Sequence, residues 1–172
     1  MDSTRIGIDP GGSGSIAIIS PRGVKVMPIP WEDKVLQWEK VYKLFKSPPK
    51  AVYIEQVQGR GGWAAQANFS FGSSYGQLLM AIKLSRWNMV MVRPQAWQKL
   101  IHAGIKAKTA KEKTRLAYAR FCPDDILPRN RNNILNHNDM DALMIGIYGL
   151  HEEKLCKEKH HYSSLSLCCC SS

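Results

Sequence analysis

The chain has 172 residues, enough for one domain with its own core and too few for two. At 44% hydrophobic and 22% charged residues it has the composition of an ordinary folded protein, and no run approaches the eighteen or so apolar residues a membrane span needs. A formal net charge of +10 points to a polyanionic partner rather than a membrane, because surface cations displace counterions condensed on nucleic acid.

In chain order, Arg5–Pro10 (RIGIDP) reads as a short apolar strand that ends on an acid and a proline. The strand pattern starts almost at once after Met1, so no signal peptide is expected, and the protein is expected in the cytoplasm, with the nucleoid, and not secreted. A Gly-rich turn leads to a second strand over 16–20 and Pro21-Arg22-Gly23 to a third over 24–30, which together suggest an antiparallel meander. Residues 33–46 place Val35, Leu36, Trp38, Val41, Tyr42 and Phe45 near helical spacing, and Ser47-Pro48-Pro49 stops that helix. AVYIEQV (51–57) is a fourth strand, again ending on an acid. After a Gly-rich loop (59–63), the pattern gives a helix over 68–86, a strand over 88–94, a helical turn over 96–101 and a Lys-rich helix over 108–121. Residues 122–136 read as a loop, and 139–150 as a helix whose Gly146 and Gly149 permit close packing on a sheet. Residues 151–172 lose all periodicity and are expected to be a helix end followed by a disordered Ser/Cys-rich tail. The order β-β-β-α-β-α-β-α argues for an α/β fold, a mixed sheet with helices on its faces.

The basic residues are unevenly placed. Twelve lie between Lys83 and Arg131 against three acids, a surplus of nine in that segment. Such a one-sided segment favours nucleic acid over a merely solvated surface. The five cysteines include no CxxC pair, and Cys168-Cys169-Cys170 sit in the tail, so neither a zinc site nor a disulfide framework is expected.

Four acids stand at element ends: Asp9 after the first strand, Glu55 in the fourth, and the pair Asp139 and Asp141 at the last helix. Each alone has a structural explanation, since Asp before Pro-Gly-Gly forms turns and Asn138 or Asp139 can cap a helix. Glu55 is harder to dismiss, because an unpaired carboxylate in a buried strand is costly. If strands one and four are parallel neighbours, Asp9 and Glu55 meet at the carboxyl edge where α/β sheets bind ligands. Convergent carboxylates there suit Mg²⁺ and in-line phosphodiester hydrolysis. Asp141 shares a helix face with His137 if the helix begins early, whereas Asp139 reaches the same place only if the helix starts after it.

The order IGIDPGGSGSIAII, VYIEQV, NFSFGSSYGQLL, VRPQAWQKLI and HNDMDALMIGIYG resembles the RuvC-type Holliday junction resolvases, the compact phage and bacterial branch above all, from about Arg5 to Leu150. The resemblance implies an RNase H-like domain over 1–150, with a five-stranded sheet of three antiparallel then two parallel strands. It also implies a homodimer that nicks four-way DNA junctions on two strands with Mg²⁺, Mn²⁺ substituting. Asp9, Glu55 and Asp141 match the family's metal-binding acids. The position one turn before Asp141 is Asn138 here, a departure that leaves the fourth site residue between His137, as ligand or base, and Asp139, as ligand, both favoured over Asn138. The resemblance places a junction-contacting loop at Gly59–Trp63, with Trp63 the stacking candidate and Phe69 and Phe71 its alternates. Arg60, Lys106, Lys108, Lys111, Arg129 and Arg131 are the candidates for DNA contact, and Trp97 is expected to pack under the site. Two other enzymatic readings compete: a nuclease of this fold acting on RNA–DNA hybrid, and an actin-like ATPase, for whose duplicated domain the length leaves no room. A non-catalytic junction-binding module is the third alternative.

Overall fold

The computed structural model describes residues 3–59, 62, 64–122, 124, 126–129, 131 and 134–165, with side chains described as far as residue 154. Strands β1 (Arg5–Asp9), β2 (Ser15–Ser20) and β3 (Gly23–Pro28) form the antiparallel meander. Strand β6 (Ala51–Glu55) lies parallel to β1, and β7 (Met89–Val92) lies parallel to β6, so the order across the sheet is β3-β2-β1-β6-β7. This is the five-stranded mixed sheet expected from the sequence.

Residues 33–46 do not form one helix. Trp31–Glu32 (β4) and Val35–Leu36 (β5) pair as a small hairpin, and only Trp38–Tyr42 (α1) is helical. Asp33 and Lys34 both take positive φ, 49° and 66°, the conformation a two-residue hairpin turn demands. Gln77, from helix α2 (Ala65–Leu84), holds the hairpin: its amide oxygen accepts from Leu36 N at 2.9 Å and its amide nitrogen donates to Lys34 O at 3.1 Å. A contact 41 residues away along the chain thus outweighs the local helical spacing.

Helices α3 (Pro94–Ile101), α4 (Ala110–Phe121) and α5 (His137–Leu165) cover one sheet face, and α1 and α2 cover the other. The alternation of strand side chains assigns the faces. Ile6, Ile8, Val52 and Ile54 pack with Val41, Leu78 and Ile82, whereas Ala51 and Tyr53 pack with Trp97, Ala117, Leu143 and Met144. Each fully buried isoleucine or leucine contributes roughly 2 kcal/mol.

Between Ile6 and Ile8, Gly7 faces α5. A Cβ there would lie 2.1 Å from Ala142 O and 2.5 Å from Gly146 N, so α5 is seated directly on the β1 backbone. A Cβ on Gly149 would lie 2.3 Å from the Tyr53 ring, which places both glycines of the helix against the sheet.

Helix α5 continues through residues 151–165, where sequence periodicity had failed. Its extension is anchored by Glu153, whose carboxylate accepts from Arg5 Nη2 at 2.6 Å, from Tyr53 OH at 3.0 Å, and from Lys50 Nζ. The Arg5 hydrogen bond, against the cost of burial and helped by Lys50 and Tyr53, holds the Glu153 carboxyl down at about 2 from an ordinary 4.5. A carboxylate with a lowered folded pKa stabilises the protein above its unfolded pKa and loses that effect as pH falls through the folded value. The expected result is an acid-limb loss of about 1–2 kcal/mol between roughly pH 4.5 and 2, allowing for solvent screening, that Glu153→Gln abolishes. Urea melts of both proteins across that range measure it, and parallel acid limbs would refute it. The tail from residue 166, with Cys168-Cys169-Cys170, lies outside the described residues.

Candidate active site

The sheet alternation that faces Gly7 toward α5 does the same for Asp9, two residues on, and Tyr53 likewise carries Glu55 to that face. Ile8 pairs with Ile54 in the parallel register, so Asp9 and Glu55 stand side by side at the carboxyl ends of adjacent strands. Asp141 comes to them from α5. Together with His137, Asn138, Lys111, Thr114 and Trp97 they line one cavity of about 420 Å³.

The start of α5 decides which neighbours of Asp141 take part. Asn136 is the N-cap: its side-chain oxygen accepts from Asn138 N at 3.1 Å, and Met140 N donates to its carbonyl at 3.3 Å. The helix therefore includes His137, and His137 and Asp141, four apart, share the cavity face. Asn138 donates its side-chain amide to Ser13 O in the β1–β2 turn, with Ser13 Oγ at 3.3 Å. Asp139 is turned the other way. It is buried, accepts a hydrogen bond from Ser15 Oγ at the start of β2, and does not line the cavity. The expectation that Asp139 is a metal ligand meets a residue outside the cavity, bridging α5 and β2. It required a helix starting after Asp139, and the Asn136 cap starts it earlier.

Supporting bonds orient the acids. Trp97 Nε1 donates to Glu55 Oε1 at 2.8 Å, so the tryptophan expected under the site also fixes the Glu55 carboxylate. Thr114 of α4 hydrogen-bonds Asp141, and its hydroxyl lies 3.1 Å from His102 Nε2. Burial pushes the Asp141 carboxyl up, opposed by the charge of His137, the Thr114 bond and Lys111. Burial, with the charge of Lys113, lowers the pKa of His102. Asp141 Oδ1 and His137 Nδ1 are both buried and find no hydrogen-bond partner among the described residues.

The unpartnered Asp141 oxygen and the neighbouring carboxylates are oxygen donors, the set that hard divalent ions take. Among the described residues no three Asp, Glu, His or Cys side chains close into a tight cage.

The cationic residues surround the cavity unequally. Lys111 lines it, with its side chain exposed at the start of α4. Lys106 and Lys108 are exposed on the connection from α3, and Arg129 and Arg131 on the connection from α4 to α5. Helix α4 begins on a capping pair: Thr109 accepts from Glu112 N at 3.1 Å, and Glu112 accepts from Lys108 N at 3.3 Å. Phe69 is 73% exposed and lines a cleft with Gly12 and Ser13, next to the carboxylates. Arg60 and Trp63 lie outside the described residues. Sequence reasoning missed Thr114. Its only signal was a hydroxyl in a charged helix, three residues after Lys111.

No family model matches the chain, and no curated protein does. Solved structures do. RuvC from T. thermophilus in complex with Holliday junction substrate superposes with a TM-score of 0.55 at 14% identity, over 87% of this chain and 95% of that one. A second Thermus thermophilus RuvC structure gives 0.51 at 18% identity, over 87% and 96%. The yeast mitochondrial Holliday junction resolvase Ydc2 gives 0.54 at 14% identity, over 90% and 83%. With the strand order and the helices on both faces, these likenesses establish that the chain has the RNase H-like fold in the form that RuvC-type resolvases share.

Proposed function

We propose that this protein is a structure-selective endodeoxyribonuclease that resolves four-way DNA junctions by metal-dependent phosphodiester hydrolysis, acting in the cytoplasm on DNA of the nucleoid. The observation that carries this reading is the meeting of Asp9, Glu55 and Asp141, from two parallel strand ends and a helix, in one cavity with Lys111 on its wall.

Asp9, Glu55 and Asp141 would hold Mg²⁺, or Mn²⁺ in its place. When bound, the metal supplies Lewis-acid polarisation of the phosphate and a water of lowered pKa. The residues of the chain do the rest. Trp97 Nε1 holds one Glu55 oxygen and so fixes the carboxylate in the cavity wall. Thr114 orients Asp141 in the same way. His137 lines the cavity beside Asp141, where its imidazole can take up a proton released from attacking water. Lys111 offsets phosphate charge, while Lys106, Lys108, Arg129 and Arg131 position the duplex arms without reading sequence.

A homodimer is part of the proposal. One side of α2 presents Phe69, Met80 and Leu84 to solvent, with open space over Gly72 and Gly76, which suits a helix that packs on its own copy. Two sites in a dimer would give paired nicks.

The test is cleavage of a four-way junction, a Y-fork, linear duplex and RNA–DNA hybrid in Mg²⁺, Mn²⁺ and EDTA. Symmetric paired nicks in the junction with either metal, and none in EDTA, are expected. Equal cutting of linear duplex, or cutting of hybrid alone, would remove the resolvase reading. An absence of cutting in both metals would remove the nuclease.

A further inference from the structure

Two side chains hold the carboxylates from behind, and one residue touches both. Trp97 of α3 donates to Glu55, and Thr114 of α4 hydrogen-bonds Asp141. His102, the C-cap of α3, lies against each of them. Its Nε2 is 3.1 Å from Thr114 Oγ1, and its ring meets the Trp97 indole in a T-shaped contact with centroids 5.5 Å apart. The backbone fixes its place, since His102 N donates to Gln98 O at 2.9 Å and Ile105 N to His102 O at 3.0 Å. His102 itself does not line the cavity.

The contact with Thr114 has a direction. A threonine hydroxyl has one proton to give and lone pairs with which to accept. An ionised carboxylate only accepts, so in the charged form that a cation needs, Asp141 takes the Thr114 proton. The Thr114 oxygen must then accept from His102, which requires a proton on Nε2. Burial and the charge of Lys113 lower the His102 pKa, so at neutral pH the ring is uncharged and carries one proton only. With that proton on Nδ1, the hydroxyl would turn toward Nε2 and Asp141 would lose its donor. Solvent offers no replacement, because Thr114 is 2% exposed.

We propose that His102 is a positioning residue for the candidate metal site: its Nε2 proton commits the Thr114 hydroxyl to Asp141, while its ring braces the indole that holds Glu55. One imidazole outside the cavity thereby orients acids that come from a strand and from a helix. Partners of this kind, one bond removed from a metal ligand, are typically worth about 10–100-fold in metal affinity or activity. The inference rests on the metal-site reading above and adds the residue that sets the direction of its hydrogen bonds.

The experiment uses the full chain and three substitutions. His102→Phe keeps a ring against Trp97 and removes the donor, His102→Gln offers an amide N–H near the place of Nε2, and Thr114→Val removes the hydroxyl. Nitrogen NMR of the labelled imidazoles in the metal-free protein should find the His102 proton on Nε2 in the wild type, with that preference lost in Thr114→Val. Mg²⁺ affinity, read from the rise of melting temperature with Mg²⁺ concentration, should weaken by about tenfold or more in His102→Phe. His102→Gln should recover it to within about threefold of the wild type. Adding His102→Phe to Thr114→Val should cost less than about twofold more, since both act through one bond. Junction cleavage should follow the same order in kcat, with KM for the junction unchanged. A wild-type proton on Nδ1, a His102→Phe protein with undiminished Mg²⁺ affinity, or a His102→Gln protein as weak as His102→Phe overturns the proposal. A wild type that binds Mg²⁺ and cuts no junction removes the nuclease reading, and the tautomer and Mg²⁺ affinities then decide the role of His102 alone. A wild type that binds no Mg²⁺ overturns both.

Discussion

Asp9→Asn and Asp141→Asn should each lower junction cleavage by on the order of 10³-fold while leaving four-way junction binding within about threefold of the wild type. The loss follows from removing a formal charge that holds a cation worth several kcal/mol to the reaction, at 1.36 kcal/mol per tenfold. Binding should be spared because the proposal assigns the phosphate contacts to Lys111 and the other exposed cations, and a neutral amide removes repulsion from the DNA. Asp141→Asn carries a second signature. Its carboxylate is buried, with one oxygen lacking a partner among the described residues, so removing the charge should not lower the melting temperature of the metal-free protein. Mg²⁺ should raise the melting temperature of the wild type and have little effect on this variant, because only a native state that binds the ion gains from it. Cleavage rates, junction titrations and melting curves with and without Mg²⁺ read all three effects. Wild-type cutting by either variant would remove that acid from the site.

Gly7→Ala should cost on the order of 3 kcal/mol of folding stability, the largest structural effect expected from adding one methyl group to this chain. The added Cβ would lie 2.1 Å from Ala142 O and 2.9 Å from Gly146 Cα, all backbone atoms that no rotamer change can move aside. Overpacking of this kind costs typically 1–3 kcal/mol even when flexible side chains can respond. Relief requires α5 to lift from β1, and the helix carries Asp141 next to the clashing Ala142. Residual cleavage should therefore fall further than the population of folded protein. Urea denaturation decides the matter, and a Gly7→Ala protein as stable as the wild type would show that α5 is not seated as described.

Much of this architecture is visible in the chain before folding. The meander, the buried strand around Ile54 and the amphipathic stretch of α4 are encoded by local alternation and periodicity. The hairpin at Trp31–Leu36 is not, because its apolar residues also satisfy helical spacing and the arbiter is Gln77 on a distant helix. The extension of α5 escaped for a related reason. Its sequence is polar there, and the anchor at Glu153 depends on Arg5, Lys50 and Tyr53, which come from two strands.

The candidate site divides in the same manner. Asp9, Glu55 and Asp141 are legible from the sequence because each stands where an apolar element ends, and a carboxylate at such a place is costly without a partner. The fate of Asp139 was decided by a cap: once Asn136 starts the helix, geometry turns Asp139 toward Ser15 and leaves His137 beside Asp141. Thr114 and Lys111 reach the cavity of the carboxylates only because α4 packs beside α5. Apart from the hairpin at Trp31–Leu36 and the extension of α5, the sequence by itself determined the element types and the acids at their ends, since both follow from interactions within a few residues. Only the tertiary structure decided which side chains those acids face, because that depends on helix starts and on packing between segments far apart in the chain.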